Sequence, residues 1–186
     1  ERNQRLVVCL DTGRLMADPI EGVQRLDHAI HSALMLAYAA LRGGDLVGLH
    51  AFGGRPHAWV PPAAGMRHMS RLTEACARML PEDVETNPVL GLHDLLSRLT
   101  RRSLVVVFTD FIDTTTSELL VENLAHLARR HMIVFVALDD PLLEQPLKAV
   151  PEDMQSVAEA LVASGLRRDR RRVLAELSHL GVQVVD

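Results

Sequence analysis

The sequence predicts one α/β domain, built on a doubly wound, mostly parallel sheet with helices on both faces. Short apolar runs rich in β-branched residues alternate along the chain with segments of helical periodicity. The segments between the runs are long enough for helical crossovers, which parallel strands require. With 186 residues, 48% of them apolar, the chain is long enough to bury one core. It contains no internal repeat, low-complexity tract or linker, so residues 1–186 form a single domain.

Six runs predict strands, and the first is "RLVVCL", which ends directly before Asp11. The third, "HAWV", is short and is followed by two prolines, so we expect an antiparallel edge strand that ends there. The predicted strands cover residues 5–10, 46–52, 57–60, 103–108, 132–138 and 182–185.

Five segments predict helices. In the third, Asn87 is placed to cap the helix and Pro88 to occupy its first turn. In the fourth, Thr115 and Glu118 have the spacing of a capping box, and in the last we expect a break near Gly165. The predicted helices cover residues 23–41, 66–79, 86–99, 115–130 and 149–180.

Composition excludes several classes of function. A net charge of −4 gives no bulk attraction to nucleic acid or to an anionic membrane, and only 3% of residues are aromatic. The run "RRDRRR" at 167–172 lies in a helical segment, where a solvated face is favoured over a docking site. Cys9 and Cys76 are expected to be buried thiols in a reducing compartment, so we expect a cytoplasmic protein.

No apolar run approaches the length of a membrane span, and no signal peptide is visible. The chain begins without methionine and ends on a strand-like segment. We therefore expect a piece of a longer protein.

Polar residues follow the predicted strands directly. They are Asp11 and Thr12 after the first strand, Thr109 and Asp110 after "SLVVVF", and Asp139 and Asp140 after "MIVFVAL"; Thr86 precedes the "NPVLGL" helix. In open α/β sheets ligands bind beyond the carboxyl ends of the strands. Carboxylate and hydroxyl oxygens are ligands for hard divalent cations. This edge is therefore the candidate site.

Four segments, "VVCLDTGRLM", "GGDLVGLHAF", "ETNPVLGLHDLL" and "SLVVVFTDF", together resemble a von Willebrand factor A-like domain. They are most similar to the bacterial family called domain of unknown function 58. The resemblance implies a strand order of 3-2-1-4-5-6, with the third strand an antiparallel edge. It also implies that Asp11 and Asp110 face each other across the point where the strand order reverses.

In metal-binding members of that superfamily, a D-x-S-x-S run, a threonine loop and a later aspartate hold Mg²⁺. The matching residues here are Asp11, Thr86 and Asp110, but Gly13 and Leu15 stand at the two serine positions. The resemblance therefore implies weakly bound Mg²⁺ or no cofactor, because Mg²⁺ needs near-octahedral oxygen geometry. A second interpretation is that Arg14 folds back and places a guanidinium between the two carboxylates.

The resemblance implies a non-enzymatic protein-interaction module. Its working surface would be the carboxyl-end rim, which we define as Asp11, Thr12, Arg14, Thr86, Asp110 and Asp113. The implied partner is a MoxR-type AAA+ ATPase or its client, in protein assembly or activation. Longer members of the family carry membrane segments, which would place the parent protein at the cytoplasmic face of the inner membrane.

An enzymatic alternative is a haloacid dehalogenase-like phosphatase with Asp11 as nucleophile. "LVVCLDTGR", "VVVFT" and "VFVALDDP" are similar to its motifs. That chemistry needs a second carboxylate two residues after the nucleophile, where this chain has Gly13. Glycine-rich phosphate loops, serine-hydrolase elbows and zinc-protease motifs are absent from the sequence.

Overall fold

The computed structural model describes residues 3–110, 114–138 and 153–185, with the side chains of 114–117 left aside. The strands of the main sheet are β1 (Arg5–Asp11), β4 (Leu46–Phe52), β5 (Pro56–Ala63), β6 (Leu104–Thr109), β7 (Met132–Ala137) and β8 (Gln183–Val185). The helices are α1 (Arg25–Arg42), α2 (Arg67–Ala77), α3 (Pro88–Arg98), α4 (Thr114–Ala128) and α5 (Met154–His179). A short 3-10 helix (Arg14–Ala17) and a two-stranded hairpin, β2 (Pro19–Ile20) with β3 (Val23–Gln24), separate β1 from α1.

The six strands lie in the order β5-β4-β1-β6-β7-β8. All neighbours are parallel except β4 and β5, so β5 is the antiparallel edge that the sequence predicts. When the separate β2–β3 hairpin is left out of the count, this is the order 3-2-1-4-5-6. The sequence does not predict that hairpin, because two-residue strands carry no measurable periodicity.

The alternating side chains of the strands build two cores, one on each face of the sheet. On one face Val7, Cys9 and Phe52 pack against α3, α4 and α5. On the other, Val8 and Leu10 pack against α1 and α2. Helices on both faces leave the ends of the strands as the uncovered edges of the sheet, which is where a site can form.

Two predicted boundaries were wrong. Strand β5 does not end before the prolines but continues through Pro61 and Pro62 to Ala63; an edge strand tolerates residues that cannot donate hydrogen bonds. Helix α5 runs without a break through Gly165, where a glycine costs a helix only about 1 kcal/mol. Residues 149–152 of that prediction lie outside the described residues.

The cap of α3 is confirmed: the Asn87 side chain accepts a hydrogen bond from the Leu90 backbone N–H at 3.0 Å, and Pro88 is the first helical residue. Within the described ranges, none of the helices combines the length and apolar character needed to cross a membrane.

Candidate functional site

Two buried aspartates meet at the carboxyl edge of neighbouring strands. Asp11 is the last residue of β1 and is 1% exposed; Asp110 directly follows β6 and is 7% exposed. The Thr109 hydroxyl lies between them, donating to Asp11 Oδ2 at 2.5 Å and lying 3.3 Å from the Asp110 carbonyl oxygen. Parallel pairing of β1 with β6 therefore brings together two residues that lie far apart in the chain.

The Asp11 carboxylate accepts three hydrogen bonds. Its Oδ1 accepts from the Gly13 backbone N–H at 2.8 Å and from the Thr86 hydroxyl at 2.7 Å, and its Oδ2 from Thr109. Burial nevertheless raises the pKa of Asp11 to about 6, because desolvation outweighs the hydrogen bonds that favour the charged form. The negative charge of Asp110 acts in the same direction as burial.

Gly13 allows the Thr86 side chain to approach the Asp11 carboxylate. A Cβ atom at Gly13 would lie 2.0 Å from Thr86 Oγ1 and 3.0 Å from the Thr86 backbone nitrogen. The position where metal-binding relatives carry a serine is thus filled by the threonine that hydrogen bonds to Asp11. A serine side chain does not fit there unless the Thr86 loop moves.

Both carboxylate oxygens of Asp110 accept hydrogen bonds from guanidinium groups. Arg25, the first residue of α1, donates from Nη1 to Oδ2, and Arg170 of α5 donates from Nη1 to Oδ1 at 2.8 Å. The Arg25 side chain is 3% exposed and that of Arg170 is 12% exposed. Arg170 also donates to the Leu138 carbonyl at 3.1 Å. Asp110 therefore joins α1 and α5 to the edge of the sheet.

The interpretation that Arg14 lies between the two carboxylates was wrong. Its guanidinium pairs with Glu85 at 2.5 Å, and the two side chains are 58% and 69% exposed. The 3-10 turn explains this, because it buries Met16 in the core and leaves Arg14 on the outside, beside the Glu85 loop. Arg25 and Arg170 occupy the partner positions that were assigned to Arg14.

Sequence reasoning missed both arginines. Arg25 stands at a helix start without any motif, and Arg170 belongs to the run that was interpreted as a solvated face. One signal in the sequence is the number of carboxylates, because two at one buried edge favour a cationic partner, but no local feature indicates Arg25 or Arg170.

Thr12 belongs to a separate cluster beside the aspartates. Its side chain is fully buried and lies 2.8 Å from His57 Nε2 on β5, and the same nitrogen lies 3.5 Å from Glu82 Oε1. The Glu82 backbone N–H donates to the Thr12 carbonyl at 2.6 Å. His57 and Glu82 carry no motif in the sequence, and only tertiary contact brings them to Thr12.

The loop that carries Thr86 is fixed to the sheet by backbone hydrogen bonds. Arg14 N donates to the Val84 carbonyl at 2.8 Å, and Asn87 N donates to the Gly53 carbonyl at 2.9 Å. Asp11, Thr12, Thr86 and Asp110 are thus brought together, while Arg14 lies at their outer side. The remaining residue of the carboxyl-end rim, Asp113, lies outside the described residues, as do Asp139 and Asp140.

The described residues do not fit a magnesium ion. An ion between Asp11 and Asp110 would have to displace a guanidinium from Asp110, and Gly13 and Leu15 offer no side-chain oxygen. Among the residues that the structure describes, no group of three or more His, Cys, Asp and Glu side chains converges to hold a metal.

Solved structures with the same architecture identify the fold of this chain. The SpRpn10 VWA domain superposes with a TM-score of 0.58 at 10% identity, covering 99% of this chain and 87% of that one. A conserved hypothetical protein, BatB from Bacteroides thetaiotaomicron, gives 0.57 at 13% identity, with 96% and 98% covered. A mutant of the PilB minor pilin from Streptococcus sanguinis gives 0.63 at 12% identity, with 99% and 56% covered. At these identities the likeness concerns the fold alone. The chain spans just over half of the length of the pilin. The chain therefore has the fold of a von Willebrand factor A domain.

The family follows from the sequence match. A family model described as "Protein of unknown function DUF58" matches residues 1–171, and the chain belongs to that family. No curated protein matches the chain in sequence.

Proposed function

We propose that this domain binds another protein through the carboxyl-end rim and does so without a metal ion. In this proposal the guanidinium of Arg25 supplies the positive charge that Mg²⁺ supplies in metal-binding members of the superfamily. The observation that carries it is the Asp110 carboxylate, both of whose oxygens accept hydrogen bonds from arginines. A guanidinium is always charged at neutral pH and presents a planar fork to a carboxylate, so the cation is permanent.

The surface around the rim supports binding to a protein. Val84, Val89 and Leu90 beside Thr86 are 46%, 38% and 45% exposed, and the exposed Arg14–Glu85 pair lies next to them. Exposed apolar side chains with charged groups at their margin are typical of docking surfaces. The loop beneath them is fixed by backbone hydrogen bonds, so little ordering would be needed on binding.

The partner we propose is a MoxR-type AAA+ ATPase or its client, with this domain as an adaptor in protein assembly or activation at the cytoplasmic face of the membrane. This part of the proposal rests on the family resemblance. The residues around the rim contribute the exposed apolar and charged side chains that such a partner would contact.

Capture experiments test the docking surface. We expect the wild-type domain to retain the purified ATPase or client from the native organism, and Val84→Asp to lose it. The matched control is Met35→Asp, which places the same charge on α1, at a residue 74% exposed. Equal capture by both variants would show that the surface around the rim is not the docking surface.

The absence of metal is tested separately. We expect capture to be unchanged in EDTA, and calorimetry to show no micromolar binding of Mg²⁺ or Mn²⁺ to the wild-type domain. Micromolar binding that disappears in Asp11→Ala would overturn the metal-free mechanism while leaving the docking surface intact.

The phosphatase alternative receives no support from the site. Its nucleophile, Asp11, is 1% exposed and accepts three hydrogen bonds. Turnover of a generic aryl phosphate that is lost in Asp11→Asn would revive that alternative.

A further inference from the structure

A second uncovered edge of the sheet forms a pocket at the amino ends of the strands. The pocket has a volume of about 560 Å³. Four of its lining residues, Arg5, Leu46, Leu104 and Met132, are the first residues of β1, β4, β6 and β7. It therefore lies at the centre of the sheet, at the end opposite to the two aspartates. A volume between roughly 300 and 1,000 Å³ is typical of sites for small ligands.

Three arginines line this pocket: Arg5 at the start of β1, and Arg101 and Arg102 in the connection between α3 and β6. Within the described part of the chain, none of their guanidinium groups pairs with a carboxylate. The Asp45 carboxylate accepts a hydrogen bond from the Gln4 backbone N–H at 2.9 Å and, in the part of the chain that the structure describes, forms no ion pair with them. The pocket lining thus carries three guanidinium groups, a local excess of positive charge in a chain whose net charge is −4.

The pKa of the buried His131 side chain, which lies beside the pocket, depends in part on this charge. Burial is the first cause that lowers the pKa of His131, and the charges of Arg130 and Arg102 lower it further. Its Nδ1 accepts a hydrogen bond from the Ser103 backbone N–H at 3.3 Å, as a neutral imidazole does. The arginine charges at this edge therefore act on His131 in the direction expected of a positive field.

The pocket also has an apolar part. Leu46 and Leu104 are partly buried in its wall, and Met132 is 51% exposed to it. Guanidinium groups bind phosphate in a bidentate manner, while aliphatic side chains have no affinity for a free inorganic ion. A site with both features fits a ligand with an anionic head and an apolar body.

We propose that this pocket binds an organic phosphate, with Arg5, Arg101 and Arg102 on the phosphate and Leu46, Leu104 and Met132 on the organic part. The phosphate belongs either to a free small molecule or to the headgroup of an anionic lipid, since the recognising chemistry is the same. The site is independent of the rim, and either proposal can fail without the other.

Calorimetry of the 186-residue chain with phenyl phosphate tests the pocket. We expect phenyl phosphate to bind more tightly than inorganic phosphate, and phenol, which lacks the anion, not to bind. In the Arg101→Gln/Arg102→Gln variant we expect affinity to fall at least tenfold. The control is Arg67→Gln/Arg71→Gln, which removes the same charge from exposed positions on α2 and should bind like wild type.

Vesicles distinguish the two sources of phosphate. Co-sedimentation with phosphatidylglycerol but not phosphatidylcholine vesicles, lost in the pocket variant and kept in the control, would assign the site to a lipid headgroup. Binding of phenyl phosphate without vesicle binding would assign it to a free organic phosphate. Failure of both probes, or equal loss of binding in the pocket variant and the control variant, would overturn the proposal.

Discussion

The charged side chains at the two ends of the sheet differ in burial and in pairing. At the carboxyl end, Asp110 is buried and meets Arg25 and Arg170, and Asp11 is held by three hydrogen-bond donors. At the amino end, Arg101 and Arg102 are exposed to solvent and, in the described part of the chain, have no carboxylate partner.

This difference indicates which end of the sheet contributes to folding stability as well as to function. A buried carboxylate without partners carries a large desolvation cost, so the two aspartates at the carboxyl end need ion pairs or hydrogen bonds for the domain to fold. Exposed arginines remain hydrated at little cost and keep their charge available for a ligand. Substitutions at the two ends should therefore have very different effects on stability.

The largest effect is expected for Arg25→Met, which removes a buried guanidinium from the Asp110 carboxylate. Breaking a buried ion pair by removing one partner costs about 3–5 kcal/mol, and urea denaturation measures that loss. Arg14→Met removes the exposed partner of Glu85 and should cost less than about 1 kcal/mol. If the two substitutions cost the same, the contrast between buried and exposed pairs does not hold.

Asp11→Asn should remove a dependence of stability on pH. The folded pKa of Asp11 is about 6 against an ordinary 3.8, so the folded domain binds more protons than the unfolded chain between these values. The stability from this group is complete below about pH 4 and is lost as the pH rises through about 6.

At 1.36 kcal/mol per pKa unit, the loss amounts to about 3 kcal/mol. Unfolding free energies of wild type and Asp11→Asn at several values between pH 4 and 7 give the difference directly. A difference that stays constant over this range would show that Asp11 titrates normally.

Gly13→Ala is expected to cost about 1–3 kcal/mol, because the added methyl group overlaps Thr86 Oγ1 and the loop has to shift. The matched control is Gly165→Ala in α5, where a Cβ meets open space and should stabilise the helix by about 1 kcal/mol. Thermal denaturation of the two variants should therefore show shifts of opposite sign. A neutral Gly13→Ala would mean that the Thr86 loop adapts freely.

The smallest effect is expected for Arg101→Gln/Arg102→Gln, the variant that removes charge from the amino end. Because both side chains are exposed, its unfolding free energy should stay within about 0.5 kcal/mol of wild type. A large loss of stability would indicate that these arginines support the fold, and would weaken the contrast between the two ends.

Local sequence pattern was sufficient to predict much of the fold and part of the candidate site. Alternating strand and helix periods predict a parallel α/β sheet, the polar residues after each run predict the carboxyl-end site, and Asn87 with Pro88 predicts the start of α3. Errors arose where local pattern is weak. The edge strand continues through Pro61 and Pro62, and α5 continues through Gly165, because tertiary packing overrides local propensity.

The sequence by itself determined the order of the elements and the placing of Asp11 and Asp110 at one edge, because strand period and strand ends are properties of neighbouring residues. Tertiary structure alone decided which cations meet these carboxylates. Arg25 and Arg170 lie 145 residues apart and converge on Asp110 from α1 and α5, and no local pattern distinguishes them from Arg14. The identity of a partner for a buried charge depends on distances across the fold, which a linear sequence does not state.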